Sequence, residues 1–269
     1  MLGLGSSLTG GAVLSSELTQ PSDIANLEIW YKNATGITSA DDGSGNILVS
    51  QWDDSSGNGR HATQGTATAR PAVSAGTGLT GGIDLSDAGS TNARDHMDIT
   101  ESSARVEIGS TNAFTYVGVI KREGAASEKH ALLGGAGSNN KFQIETEEKL
   151  VFKTVGSSVV ESTFVFPTDT WEKDELISIV VTKNTSGVFK FYKNGGSAMD
   201  GDESGSSNLT NVGTDFDVSY LAANFDGSAV NDRHFDGKML EVMLYSSELT
   251  AGNISDINAY IASKFTLGS

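Results

Sequence analysis

Cysteine is absent from this chain of 269 residues. Its absence excludes thiol catalysis, zinc or iron–sulfur centres with cysteine ligands, and a framework of disulfides. Proline is almost absent too, with three residues, whereas glycine contributes 32. A chain of this length buries roughly 70–75% of its unfolded surface, so one hydrophobic core can stabilise it without a covalent or metal cross-link.

Basic residues are scarce: 18 Lys and Arg stand against 34 Asp and Glu, which gives a formal net charge of −16. A surface this acidic repels phosphate backbones and anionic lipid head groups, so neither nucleic acid nor a membrane is an expected partner. No apolar run approaches the ~20 residues of a spanning helix. Residues 1–20 contain no Lys or Arg and no long apolar stretch. We therefore expect no signal peptide and synthesis in the cytoplasm.

The first 20 residues differ in composition from the rest of the chain. They are rich in Gly, Ser, Thr and Leu and show neither strand alternation nor a helical stripe. Such a segment cannot bury enough apolar surface alone to offset its ordering entropy. We predict that residues 1–20 form an extended assembly arm that contacts a neighbouring subunit; the alternative is a frayed leader packed on its own domain. The predicted contact residues are Met1, Leu2, Leu4 and Leu8.

Residues 21–269 are predicted to form one domain, because short strands separated by turn residues dominate from Ile24 onward. Roughly a dozen strands without βαβ alternation favour an all-β fold, an antiparallel two-sheet jelly-roll sandwich. The clearest predicted strands are Leu27–Tyr31, Asn46–Trp52, Phe114–Ile120, Lys141–Glu145, Leu150–Lys153, Val159–Phe166, Leu176–Lys183, Val188–Lys193, Asp215–Leu221 and Lys238–Tyr245.

One short helix is predicted at the C-terminal end. Thr250 has the chemistry of an N-cap, and apolar residues follow it at spacings of three and four. These residues are Ile254, Ile257, Ile261 and Phe265. Gly268 is the expected C-terminal cap.

Catalytic motifs are missing from the sequence: it has no G-x-S-x-G, no H-E-x-x-H and no G-x-x-x-x-G-K-[ST]. Glu145 and Glu147 have the spacing that brings two carboxylates to one strand face, as retaining glycosidases require. Lys149 follows them closely, which is typical of a solvated charged turn. We therefore predict no catalytic residue and no enzyme.

Calcium is the one metal that the residue pattern suggests. The segment from Asp200 to Gly205 opens as D-x-D-x-S-G, like a calcium loop, but lacks the Glu at its twelfth position. Asp200, Asp202 and Ser204 are therefore candidate calcium ligands, and a plain solvated turn is the alternative.

Exposed aromatic rings are the natural platform for sugar binding, and Trp30, Tyr31, Trp52 and Trp171 are the candidates. Trp30 and Trp52 lie on apolar strands, where core packing is the expected role. Tyr31 lies on the strand face opposite Trp30 and is the predicted surface residue.

Several segments together resemble laminin-G-like jelly rolls of the concanavalin A-like lectin/glucanase superfamily. Leu27–Trp30, Gln51–Gln64 and Ala69–Pro71 match their opening, in the order W-x-D-x-S-G-N-G-x-x-A-T-Q … R-P found in versions from bacteria and bacteriophages. Phe189–Gly195 is similar to their Y-x-N-G hairpin, and Phe235–Tyr245 to their closing strand. The resemblance covers about residues 24–267.

The Trp52–Ala62 motif has a structural explanation. Gly57 and Gly59 permit positive φ in a tight turn, and Asp53 can accept backbone N–H bonds there. We expect a fold signature, with a ligand loop that includes Asp53 as the alternative.

The resemblance, the acidic charge and the composition of residues 1–20 imply a non-enzymatic structural virion protein of a tailed phage, in its head decoration, tail or fibre. Expected partners are other virion subunits or copies of itself through residues 1–20, with weak recognition of cell-surface glycan as a secondary role. The alternative is a calcium-dependent carbohydrate-binding lectin module of a bacterial surface or secreted protein.

Overall fold

The structure, a computed structural model, describes residues 18–76, 78–86, 95–99, 106–109, 112–125, 129–135, 140–155, 159–199, 202–204, 215–224 and 234–268. Within these ranges the chain forms 19 β-strands, one α-helix and two 3-10 helices, Pro21–Asp23 and Ala67–Ala69. No helix in this described part combines the length and the apolar character that crossing a membrane requires.

The strands and the helix are numbered in chain order. They are β1 (Leu27–Tyr31), β2 (Ile37–Asp41), β3 (Ile47–Trp52), β4 (Ala62–Thr63), β5 (Ala72–Val73), β6 (Ile83–Asp84), β7 (Met97–Ile99), β8 (Glu107–Gly109), β9 (Phe114–Arg122), β10 (His130–Gly134), β11 (Lys141–Thr146), β12 (Lys149–Val155), β13 (Val159–Val165), β14 (Leu176–Lys183), β15 (Phe189–Lys193), β16 (Asp202–Ser204), β17 (Asp215–Asp217), β18 (Tyr220–Leu221), β19 (Gly237–Tyr245) and α1 (Ala251–Lys264).

The strands form two antiparallel layers. The first has the order β1–β19–β9–β14–β15, and the second the order β16–β13–β12–β11–β10–β18–β7–β4–β3–β2. β5 and β6 connect β3 to β19, so 17 strands share one hydrogen-bond network. β8 and β17 form a separate pair. The predicted antiparallel jelly-roll sandwich with one C-terminal helix is confirmed.

Aromatic side chains fill the space between the layers. The ring centroids of Tyr116 on β9 and Phe142 on β11 are 5.4 Å apart, as are those of Phe114 on β9 and Phe152 on β12. Such pairs contribute about 0.5–1.5 kcal/mol each beyond the apolar area that they bury. The contacts join the two layers into a single core.

The outer face of the first layer is buried as well. On β9, Tyr116 and Ile120 face the core between the layers, whereas Val117 and Val119 belong to a second apolar cluster. The helix α1 covers that second cluster with Ile254, Ile257, Tyr260 and Ile261. Both faces of β9 are therefore covered, which fits the largely apolar run Phe114–Ile120.

The predicted start of α1 is confirmed, and its predicted end is wrong. The Thr250 Oγ1 accepts a hydrogen bond from the Asn253 backbone N–H at 3.2 Å, a cap that stabilises a helix by about 1 kcal/mol. The helix ends at Lys264 because Phe265 is extended, with φ −126° and ψ 139°. Gly268 does not cap it, since its N–H donates to the Leu176 carbonyl at 2.8 Å.

A buried carboxylate fixes α1 to the sheet. The Glu241 side chain on β19 is fully buried, and its Oε1 accepts hydrogen bonds from Trp30 Nε1 at 2.8 Å and from the Tyr260 hydroxyl at 2.6 Å. The Lys264 ammonium donates to Glu241 Oε2 at 2.6 Å. Burial, together with the charge of Glu241, raises the pKa of Tyr260. Hydrogen bonds to a charged group stabilise by about 1.5–3 kcal/mol each, so the network sets where the helix docks.

A buried histidine lies near the Arg122 guanidinium. The His130 side chain on β10 is inaccessible to solvent, and its Nδ1 accepts the Asp236 backbone N–H at 3.2 Å. Burial, the Arg122 guanidinium and His234 together lower the pKa of His130 from 6.5 to about 4, with burial the largest cause. His130 is therefore neutral in the folded protein at pH 7.

We predict that His130 makes the fold sensitive to mild acid. The unfolded chain binds a proton below pH 6.5 while the folded chain resists it down to about pH 4, so stability is lost as the pH falls through that window. The His130→Asn variant keeps an acceptor for Asp236 and cannot be protonated. Its free energy of unfolding, measured by denaturant titration from pH 7 to pH 4, should fall less than that of the wild type, by on the order of 3 kcal/mol. If the free energy of unfolding fell equally with pH in the wild type and the variant, this assignment would be contradicted.

Candidate functional site

The Asp54 carboxylate organises the loop that follows β3. Its Oδ1 accepts the backbone N–H groups of Trp30 and Ser56, both at 2.9 Å. Its Oδ2 accepts the Arg60 backbone N–H at 3.0 Å and the Ser56 hydroxyl at 2.7 Å. The sequence prediction assigned the backbone contacts to Asp53, and this is wrong. Buried Trp52 and Asp54 are two residues apart and so share a side of the extended chain, whereas Asp53 points the other way.

Two glycines turn the loop back toward β1. Gly57 and Gly59 have φ of 92° and 71°, a region that residues with a Cβ rarely adopt, so the predicted positive φ is confirmed at both. Between them, Asn58 Nδ2 donates to the carbonyls of Leu27 and Glu28 at 2.9 and 3.1 Å. The loop is thus attached to β1 by side chains as well as by Asp54.

This attachment places Arg60 beside Glu28. The Arg60 Nη1 lies 3.0 Å from Glu28 Oε2 and donates to the Glu28 carbonyl at 3.1 Å. The Ser246 hydroxyl donates to Glu28 Oε1 at 2.7 Å, and the Tyr31 hydroxyl donates to the Arg60 carbonyl at 2.8 Å. Both carboxylate oxygens of Glu28 therefore have protein donors, and both residues are held in position from several sides.

A cleft of about 530 Å³ opens beside this ion pair. Charged, polar and small apolar side chains from five separate parts of the chain form the described walls. The lining residues are Glu28, Arg60, Val106, Glu107, Asn112, Ala113, Thr185 and Ser246. The volume lies within the ~300–1,000 Å³ of small-molecule binding clefts.

A buried lysine supports another part of the cleft wall. The Lys183 side chain is inaccessible to solvent, and its ammonium donates to the carbonyls of Asn112 and Asn184 at 3.0 and 3.2 Å. Burial lowers the pKa of Lys183, and the nearby charge of Asp215 opposes that effect. Lys183 thus holds the backbone of Asn112, which lines the cleft, and that of Asn184, the neighbour of the lining residue Thr185.

The predicted surface role of Tyr31 is wrong. Its ring is inaccessible to solvent and packs at 5.5 Å between centroids against Trp52, and burial raises the pKa of its hydroxyl. Trp30, Trp52 and Trp171 are buried too, so none of the four aromatic candidates offers a ring to a sugar. The alternation of residues on β1 predicts that one face of the strand is exposed to solvent. In the structure, α1 covers one face of β1 and the second layer covers the other.

Asp53, the other predicted ligand residue, lies on the outside of the loop. Its side chain is 42% exposed, accepts a hydrogen bond from Gln51 Nε2 at 2.6 Å and lies 3.2 Å from His61 Nδ1. It is not among the described residues that line the cleft. Its binding role stays a prediction without support from the cleft.

The predicted calcium ligands are only partly described. Asp202 and Ser204 lie on β16, which pairs with β13 through Thr163 and Val165, and this extended backbone differs from the curled loop that surrounds a calcium ion. Asp200 lies outside the described residues. Among the residues that are described, no group of three or more His, Asp or Glu side chains could hold a metal ion.

The predicted assembly residues Met1, Leu2, Leu4 and Leu8 lie outside the described residues. The division into an arm of residues 1–20 and a jelly roll of residues 21–269 therefore stays a prediction.

A family model described as the concanavalin A-like lectin/glucanases superfamily matches residues 91–255, which is more than half of the chain. No curated protein matches the sequence.

Solved structures of toxin binding domains share the fold. The binding domain of botulinum neurotoxin DC, in complex with rat synaptotagmin II, has a TM-score of 0.55 and 13% identity over 89% of this chain and 52% of its own. The binding domain of Paraclostridial Mosquitocidal Protein 1 gives 0.54 and 12% over 85% and 52%. The botulinum neurotoxin serotype D ligand-binding domain in complex with N-acetylneuraminic acid gives 0.54 and 14% over 89% and 51%. At these identities the likeness establishes the fold alone, and this chain spans about half the length of each.

We predict that Asp54 and not Asp53 determines the stability of the loop. An Asn at position 54 offers one acceptor oxygen instead of two and turns an amide toward backbone donors. Asp54→Asn should therefore lower the free energy of unfolding by about 2–4 kcal/mol. The matched control Asp53→Asn removes the same charge at an exposed position and should cost under about 1 kcal/mol. Chemical denaturation of both variants measures the difference, and equal losses would refute the assignment.

Proposed function

Because the chain belongs to the concanavalin A-like lectin/glucanase superfamily, we propose that it is a non-enzymatic binding module that holds a carbohydrate in the cleft between Arg60 and Thr185. The observation that carries the proposal is the cleft itself. Its walls are fixed by Asp54 and Lys183, and Asn112, Thr185 and Ser246 supply uncharged donors and acceptors that suit sugar hydroxyls. Walls fixed before binding lower the ordering cost that weak ligands must overcome.

The state of Glu28, Glu145 and Glu147 supports binding without catalysis. Glu28 has both oxygens engaged by Arg60 and Ser246. Glu145 and Glu147, which have glycosidase spacing in the sequence, form ion pairs with Lys129 and Arg122. A retaining mechanism needs a carboxylate free to attack and a second one that can deliver a proton, and these residues are committed to protein partners.

Toxin domains of the same fold add an analogy for cell-surface binding. One of these domains was solved in complex with rat synaptotagmin II and another in complex with N-acetylneuraminic acid. A jelly roll of this kind thus provides a stable frame on which loops present a binding surface. The ligand of the present chain must follow from its own cleft.

We further propose that the module is a structural component of a tailed-phage virion, in the head decoration, tail or fibre, with residues 1–20 joining it to other subunits. The order of residues in the Trp52–Ala62 motif and the net charge of −16 support this placement, because an acidic surface suits the outside of a particle better than contact with packaged DNA. Many copies would make weak sugar binding effective through avidity. A calcium-dependent lectin on a bacterial surface is the competing role.

The test is a glycan array probed with the protein tetramerised on streptavidin, first with calcium and then with chelator. We expect binding that does not depend on calcium. The double variant Asn112→Ala/Thr185→Ala should lose it, whereas the control Thr168→Ala, at an exposed residue outside the described cleft lining, should retain it. Both variants should keep the melting temperature of the wild type. Binding lost on chelation would favour the calcium-dependent lectin. A blank array would refute carbohydrate binding, and failure of an antibody against the protein to label intact particles would refute the virion role.

A further inference from the structure

We propose that the cleft accepts uncharged sugars and rejects acidic ones, with Glu28 as the specificity-determining residue because it occupies Arg60. The inference rests on the proposed carbohydrate binding and names the class of ligand. The Glu28–Arg60 ion pair would thus select between neutral and acidic sugars, a preference that neither the fold nor the family determines.

Arg60 is the residue through which an acidic sugar would be recognised. A guanidinium matches a carboxylate in shape and charge, and paired N–H donors make that contact specific. In this protein Glu28 already takes that position, with its Oε2 3.0 Å from Arg60 Nη1. The Arg60 side chain is only 11% exposed and that of Glu28 24%, so the ion pair is screened weakly by solvent.

Glu28 is also held so that a ligand cannot easily displace it. Ser246 donates to its second oxygen at 2.7 Å, and Arg60 Nη1 additionally donates to the Glu28 carbonyl at 3.1 Å. Folding has already ordered the Glu28 and Arg60 side chains, so their contact costs no further conformational entropy. An incoming carboxylate would have to break that contact. The intramolecular carboxylate therefore outcompetes a sugar carboxylate of equal basicity.

The remaining charge in the cleft also opposes an anion. Among the described lining residues, Glu28, Arg60 and Glu107 are charged. Since Glu28 neutralises Arg60, Glu107 leaves this described part of the lining negative, within a protein of net charge −16. Uncharged hydroxyls carry no such penalty, and Asn112 and Thr185 can exchange hydrogen bonds with them.

The test compares wild type, Glu28→Gln and Glu107→Gln on an array of matched pairs, each a neutral oligosaccharide beside its sialylated form. Wild type should bind the neutral member about tenfold more strongly or better. Glu28→Gln removes the carboxylate charge that neutralises the Arg60 guanidinium and should raise binding of sialylated members about tenfold more than Glu107→Gln does. The two variants remove the same charge, and only the first breaks the ion pair. Melting temperatures verify that both are folded.

The outcomes separate this inference from the proposed function. Equal wild-type binding of neutral and sialylated members would overturn the selectivity while leaving carbohydrate binding intact. Equal gains in the two variants would overturn the role of the Glu28–Arg60 pair in favour of net charge. Absence of binding to every glycan by all three proteins would overturn the proposed function and the inference with it. The wild-type preference tests the selectivity even if Glu28→Gln proves unstable.

Discussion

The candidate site depends on the Asp54 carboxylate, which accepts four hydrogen bonds from donors on β1 and on the loop after β3. Charged acceptors make stronger hydrogen bonds than neutral ones, and a buried carboxylate that lost its donors would be costly. Asp54 therefore allows few arrangements of the loop. The arrangement that satisfies it brings Arg60 to Glu28, and that pair forms one wall of the cleft.

The rest of the molecule provides a frame that holds the cleft residues still. The first layer is buried on both faces, between the aromatic core and α1, and Glu241 fixes the helix to β19. Lys183 ties the part of the cleft wall at Asn112 to this frame. A binding module gains from such a frame because little conformational freedom is left to lose when a ligand arrives.

Local pattern predicted much of the fold and little of the site. The bounds of β1 and β14 match their predictions, and α1 begins where the Thr250 cap and the isoleucine spacing place it, since these features depend on neighbours in sequence. β2 was missed because it is a polar, mostly exposed strand, and the predicted strand Asp215–Leu221 is two short strands with different partners.

The cleft joins Glu28, Arg60, Asn112 and Thr185, which only tertiary pairing brings together. The sequence did contain a clue to Asp54. It lies two residues after Trp52, and strand alternation puts such residues on the same side of the chain.

The most direct measurement is a titration of the isotopically labelled protein with the glycan that binds most strongly to the array, followed by amide NMR spectroscopy. The account predicts that the largest chemical-shift changes occur at Glu28, Arg60, Asn112 and Thr185, around the cleft. Changes confined to α1 or β2, with the cleft residues unaffected, would contradict it.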